Sequence, residues 1–126
     1  MGFITDLLNN QIKRSNDSLN QYNADLNKYR QGIEDAKKAK KLFEESATKM
    51  DSLILETDGV FQGAAATQFC LKLSNYNKAI KKMPAIMDKR IKAFERRISE
   101  LEGQKRWCEI WSGFLNGFLT AIKVIV

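Results

Sequence analysis

The residue types that usually carry catalysis are scarce in this chain of 126 residues. It has no histidine, which removes the commonest general base, the Ser-His and Cys-His nucleophile pairs and most zinc or copper sites. The acidic side chains Glu44, Glu45 and Asp51 fall on the solvated face of a helical pattern, with no phosphate loop or metal ligands beside them. We therefore expect no catalytic residue, no cofactor and no metal ligand, and predict that the protein is not an enzyme.

Two cysteines, Cys70 and Cys108, could in principle form a disulfide. If both lie on one continuous helix, a rise of 1.5 Å per residue separates them by about 57 Å, which is too far for a bridge. We interpret them as small core residues of a protein in a reducing cytoplasm.

The net charge of +6 is concentrated in residues 78–106, which carry ten basic and four acidic side chains. Such a cluster could bind nucleic acid. However, acidic residues interleave with the basic ones, an apolar seam runs through them, and no nucleic-acid motif is present. A solvated helix face, or a face complementary to an acidic partner, is the favoured interpretation, and we expect no nucleic-acid partner.

A heptad pattern in the first half of the chain predicts one long helix over about residues 5–56. Twelve of its fourteen seam positions are apolar or aromatic, and only Ser15 and Lys40 interrupt them. The seam positions are Leu8, Ile12, Ser15, Leu19, Tyr22, Leu26, Tyr29, Ile33, Ala36, Lys40, Phe43, Ala47, Met50 and Ile54.

A turn over residues 57–64 follows, indicated by Asp58-Gly59 and a second glycine, Gly63. A second helix is predicted over about residues 65–103, with a kink near Pro84 and a stutter between Met87 and Ile91. Its predicted seam consists of Phe69, Leu73, Tyr76, Ile80, Met83, Met87, Ile91, Phe94, Ile98 and Leu101. We expect an antiparallel hairpin within a single domain, residues 1–126, in which position i lies opposite about 120 − i.

The last segment, residues 107–126, is apolar around more of its circumference and is predicted to form a third, shorter helical tail. Its aromatic residues are of the kind that anchor protein interfaces, and they are Trp107, Trp111, Phe114 and Phe118. Because a lone pair of helices leaves part of each seam exposed, we expect the tail, a second copy or another protein to cover it.

The segment Phe61-Gln62-Gly63, followed by small residues and Phe69, lies between the two long seams. It resembles the Trp-x-Gly turn of the WXG superfamily of type VII secretion, with Phe61 at the tryptophan position, Gly63 at the glycine and Phe69 at the following core aromatic. The resemblance covers about residues 8–105, and Phe in place of Trp is a departure from the motif. The chain looks most like the small helical accessory proteins associated with LXG toxins.

This resemblance implies a chaperone or targeting protein of a Gram-positive bacterium that binds the helical N-terminal domain of an LXG toxin. It also implies a second small helical accessory protein as a partner, and a cytoplasmic location with export alongside the partner as an alternative. Some members carry an export signal, an aromatic residue followed four positions later by an acid. No aromatic residue here has that neighbour, so we expect any signal to come from the partner.

Two other interpretations stay open. The tail could associate with a membrane, since Gly113 and Gly117 form a small-residue pair in a stretch of 17 residues from Ile110, although its polar residues make packing on protein the favoured choice. The chain could also be a homodimeric helical scaffold.

Overall fold

The computed structural model describes residues 2–61 and 63–125, and it consists of two α-helices. Helix α1 spans Gly2–Val60 and helix α2 spans Ala64–Ile125. The helices pack as an antiparallel hairpin, and the described residues contain no strand. The predicted all-helical hairpin is confirmed.

The turn is shorter than the predicted range of 57–64. The backbone N–H of Phe61 still donates to the Thr57 carbonyl at 2.9 Å, so the α1 hydrogen-bond pattern reaches that residue. Gly63 then adopts a φ of +112°, which side chains with a Cβ rarely tolerate. Its carbonyl accepts the backbone N–H and the hydroxyl of Thr67, both at 3.1 Å, and this satisfies a donor in the first turn of α2.

The structure does not support a separate apolar tail. Helix α2 continues unbroken through Gly103 to Ile125, and Ser112, Leu115 and Leu119 are buried in it. An isolated glycine costs a helix about 1 kcal/mol relative to alanine, and seam burial on both sides of Gly103 outweighs that penalty. Pro84 also lies inside α2, which has no break there.

The seam of α1 follows the predicted heptad. All fourteen predicted positions are buried or half-buried, including the two polar ones, Ser15 and Lys40. Leucine and isoleucine side chains placed there contribute about 1.5–3 kcal/mol each when fully buried. The seam therefore explains why this long polar sequence forms one helix.

The early seam of α2 differs from the prediction. Phe69 and Tyr76 are 50% and 66% exposed, whereas Asn77 is only 2% exposed. Pro84 is half-buried and occupies a seam position, so the steps of four and three continue without the predicted stutter. The buried or half-buried row is Ala66, Cys70, Leu73, Asn77, Ile80, Pro84, Met87, Ile91, Phe94, Ile98 and Leu101.

The chain divides into two compact units. Unit 1 consists of Met1–Gln31 and Glu95–Val126, and unit 2 of Gly32–Phe94. Leu26 and Leu101 are the most deeply buried large side chains, and both belong to unit 1. The single domain inferred from the sequence stays a prediction.

The pairing register within unit 1 is displaced from the predicted one. The hydroxyls of Ser15 and Ser112 hydrogen-bond to each other, whereas the predicted register places residue 105 opposite Ser15. The later turn accounts for part of the displacement, because α1 runs on to Val60 and α2 begins at Ala64, which moves the facing position by about four residues.

Candidate interaction surfaces

A cluster of exposed apolar side chains of unit 1 lies on α2. We call it the aromatic face, and it consists of Trp107, Ile110, Trp111, Phe114 and Phe118. These side chains are between 52% and 74% exposed. The predicted interaction residues of the tail all belong to it, although the helix that carries them is α2 itself.

The aromatic rings are ordered against one another. The ring centres of Trp111 and Phe114 lie 5.8 Å apart in a stacked arrangement, and those of Phe114 and Phe118 lie 5.7 Å apart. A shallow depression of about 210 Å³ is lined by Trp107, Ile110, Trp111 and Phe114. Stacked rings of this kind form a rigid ridge that loses little entropy when a partner covers it.

Buried or half-buried residues one position after each aromatic residue, about 100° around α2, fix the direction of the aromatic face. Leu115 and Leu119 are 5% and 8% exposed, and Ser112 contacts Ser15 of α1. The Cys108 thiol lies 3.4 Å from both the Ser15 hydroxyl and the Ser15 carbonyl. This polar layer satisfies the buried hydroxyls and fixes the rotation of α2 within unit 1.

Exposed apolar residues of α1 extend the same side of unit 1. Ile4 and Leu7 are 44% and 49% exposed. Each lies one residue before a buried or half-buried position of α1, just as the aromatic residues lie one residue before the buried or half-buried positions of α2. In an antiparallel pair, this shared rotation places Ile4, Leu7 and the aromatic face on the same side of unit 1. A partner there would meet apolar side chains from both helices.

The turn-motif residues lie in unit 2, and their aromatic side chains are exposed. Phe61 is 63% exposed. Phe61 and Phe69 line an open apolar depression of about 410 Å³ together with Thr57, Ala65 and Ala66. Gly63 supplies the positive φ and has no atom within 4 Å of an added Cβ.

Sequence reasoning missed a groove between the helices of unit 2. Its volume is about 340 Å³, and it is lined by Gly32, Asp35, Ala36, Ala39, Met87, Arg90 and Phe94. A Cβ added to Gly32 would lie 2.9 Å from Cε2 of Phe94, so glycine is needed for that ring to approach. The available signal was a run of small residues, Gly32, Ala36 and Ala39, spaced along one side of α1.

A second missed feature is the buried Asn77. Its amide nitrogen donates to the Asp51 carboxylate at 2.7 Å and lies 3.3 Å from the Ala47 carbonyl. Its side-chain oxygen is buried without a partner among the described residues. Lys81 also donates to Asp51, at 3.0 Å, so the polar layer reaches solvent.

The charged groups of the hairpin are mostly solvated. Lys40 pairs with Asp88 at 2.9 Å, and the hydrogen bond to that carboxylate raises the pKa of the Lys40 ammonium. In unit 1, hydrogen bonding to Glu100 and then to Tyr29 raises the pKa of the Arg97 guanidinium. Residues 2–61 and 63–125 contain no cluster of three acidic or cysteine side chains able to hold a metal ion.

Comparison with known proteins adds no assignment. No family model, curated protein or solved structure matches the chain. Within the described residues, neither helix has a stretch sufficiently long and apolar to cross a membrane.

Proposed function

We propose that this protein is an accessory factor that binds the helical N-terminal domain of an LXG toxin, as a chaperone or targeting partner for type VII secretion. The observation that carries this proposal is the aromatic face, five large apolar side chains exposed on α2 beside its packed seam. An exposed apolar ridge of stacked rings favours a protein partner over bulk water.

The partner surface is helical in this proposal. Trp107, Trp111, Phe114 and Phe118 recur in steps of four, three and four, the same period as the buried seam. That period matches the ridges of another α-helix, and such packing needs no pocket, cofactor or chemical step. The antiparallel hairpin is the fold that the WXG resemblance implies, and it supports the choice of partner.

Co-expression with the helical N-terminal domain of a toxin encoded beside this gene tests the proposal. We expect one complex in size-exclusion chromatography. The double variant Trp111→Ser/Phe118→Ser should weaken it at least about tenfold, since buried aromatic anchors dominate interface energy.

Leu55→Ser is the matched control, because Leu55 is 74% exposed in unit 2, outside the aromatic face. It should leave the complex unchanged. Failure of the wild-type chain to co-elute with the toxin domain would contradict the proposed function.

A further inference from the structure

A second row of exposed side chains runs along α2 in unit 2, beside the buried seam. We call it the flanking stripe, and it consists of Lys72, Tyr76, Ala79, Met83, Ile86 and Arg90. Its steps of four and three repeat the heptad, so all six residues share one side of the helix. All except the half-buried Met83 are exposed.

The two ends of the flanking stripe carry cations at shallow depressions. Lys72 lines one depression together with Asn75 and Tyr76. Arg90 lines the groove that contains Gly32 and Phe94. Neither cation forms an ion pair with any residue that the structure describes. The centre of the stripe, from Tyr76 to Ile86, is apolar and contains no acid.

Charge on this part of α2 is strongly unbalanced. Residues 64–94 hold seven basic side chains and one acidic one, Asp88, which pairs with Lys40 of α1. Asp35 of α1 lines the rim of the groove opposite Arg90. Asp51 of α1 pairs with Lys81, and the basic side chains outside these pairs supply positive potential for a partner.

We infer that the flanking stripe docks an amphipathic helix with an apolar centre and a carboxylate at each end. Lys72 and Arg90 are 18 residues apart, which is five turns or about 27 Å along the helix. A partner helix with acids at that spacing would pair with both cations while its apolar side chains cover Tyr76, Met83 and Ile86. This inference rests on the proposed function, because it defines the chemistry of a helical partner.

A helix is favoured over the other anionic partners. A lipid surface calls for a row of bulky, fully exposed apolar side chains on the same side as the cations, whereas this stripe offers Tyr76, Ile86 and the half-buried Met83. Nucleic acid would engage the more densely charged outer side, where Lys78, Lys82 and Lys89 lie. The heptad period and the apolar centre match a helix.

The test uses the full chain and a labelled helical peptide of about 21 residues, with Leu and Ala on the contacting side and Glu at the two positions five turns apart. Two matched peptides replace these Glu residues by Lys or move them to the opposite side. Fluorescence anisotropy should show binding of the first peptide at least about tenfold tighter than of either control.

Variants of the chain locate the site. Lys72→Glu/Arg90→Glu should weaken binding of the Glu peptide at least about tenfold and strengthen binding of the Lys peptide. Lys78→Glu/Lys89→Glu makes the same charge change on the outer side of the same helix, and it should alter affinity less than about threefold. Circular dichroism checks that both variants keep their helicity.

Three results would overturn the inference. The first is equal affinity for the Glu peptide and for the peptide with Glu on the opposite side. The second is an equal loss of peptide affinity in the two double variants. The third is displacement of the peptide by duplex DNA or phosphatidylglycerol vesicles, with both double variants weakening the competitor equally. A toxin-domain complex that survives Lys72→Glu/Arg90→Glu while the peptide fails to bind would remove this inference and leave the proposed function intact. Specific peptide binding by a chain that forms no complex with the toxin domain would contradict the proposed function and leave the binding site on the flanking stripe intact.

Discussion

The two units bury the same heptad period with different side chains. The core of unit 1 contains four buried leucines, Leu26, Leu101, Leu115 and Leu119, whereas the buried core of unit 2 includes Ala36, Ala47 and the polar Asn77. The exposed surfaces differ as well, with stacked aromatic rings in unit 1 and an excess of basic residues on α2 in unit 2. The heptad period therefore specifies how the helices pair. The side chains at the seam set the stability of each unit, and those beside the seam set its surface chemistry.

The largest expected effect comes from the leucine core. Leu26 is 2% exposed, and Leu26→Asp would bury an unpaired charge there. We expect a loss of about 4 kcal/mol or more, enough to unfold unit 1, measured by thermal and urea unfolding with circular dichroism. Lys41→Ala, at an exposed position of unit 2, should stay within about 0.5 kcal/mol. Similar losses in both variants would mean that the leucine core is not the main source of stability.

The close approach at Gly32 tests the core of unit 2. Gly32→Ala places a Cβ 2.9 Å from the Phe94 ring, and overpacking of about 1–3 kcal/mol is partly offset by about 1 kcal/mol of helix propensity. We expect a net loss of about 1 kcal/mol in urea unfolding. In the background of Phe94→Leu the same substitution should become neutral or stabilising. A loss unchanged in that background would contradict the packing account.

Removing a buried polar side chain should lower the free energy of unfolding in unit 1 and raise it in unit 2. Ser15→Ala leaves the buried Ser112 hydroxyl without its partner and should cost about 1 kcal/mol. Asn77→Leu removes a buried oxygen that has no partner among the residues the structure describes, while Asp51 keeps its bond to Lys81, and it should stabilise by up to about 1 kcal/mol. The exposed Asn75→Leu is the control for the second change, and a loss on Asn77→Leu would show that the amide is needed to hold the register.

The smallest expected effect is a pH dependence at the Lys40–Asp88 pair of unit 2. The pKa of Lys40 is raised in the folded chain, so its stabilisation is complete below the ordinary value of 10.5 and is lost as pH rises through the folded value. The difference in melting temperature between wild type and Lys40→Met should therefore shrink in strongly alkaline buffer. A difference that persists there would indicate that packing of the lysine stem, rather than its charge, is responsible.

The sequence predicted α1 and its seam because a regular apolar period dominates there. It misplaced the early seam of α2 because Phe69 and Tyr76 are far more apolar than Asn77, and no local rule favours a buried amide over an aromatic ring. The groove of unit 2 was missed because Gly32 and Ala36 carry too little apolar surface to register as a feature. The aromatic residues predicted for the tail are exposed, and they lie on α2 itself because the seam continues past Gly103.

Intrinsic fluorescence tests the central claim, that the aromatic face receives the partner. The sequence has two tryptophans, Trp107 and Trp111, and both lie on that face. Binding of a toxin N-terminal domain with its own tryptophans replaced by phenylalanine should shift the emission to shorter wavelength and protect it from acrylamide quenching. A complex that forms while emission and quenching stay those of the free chain would contradict the account.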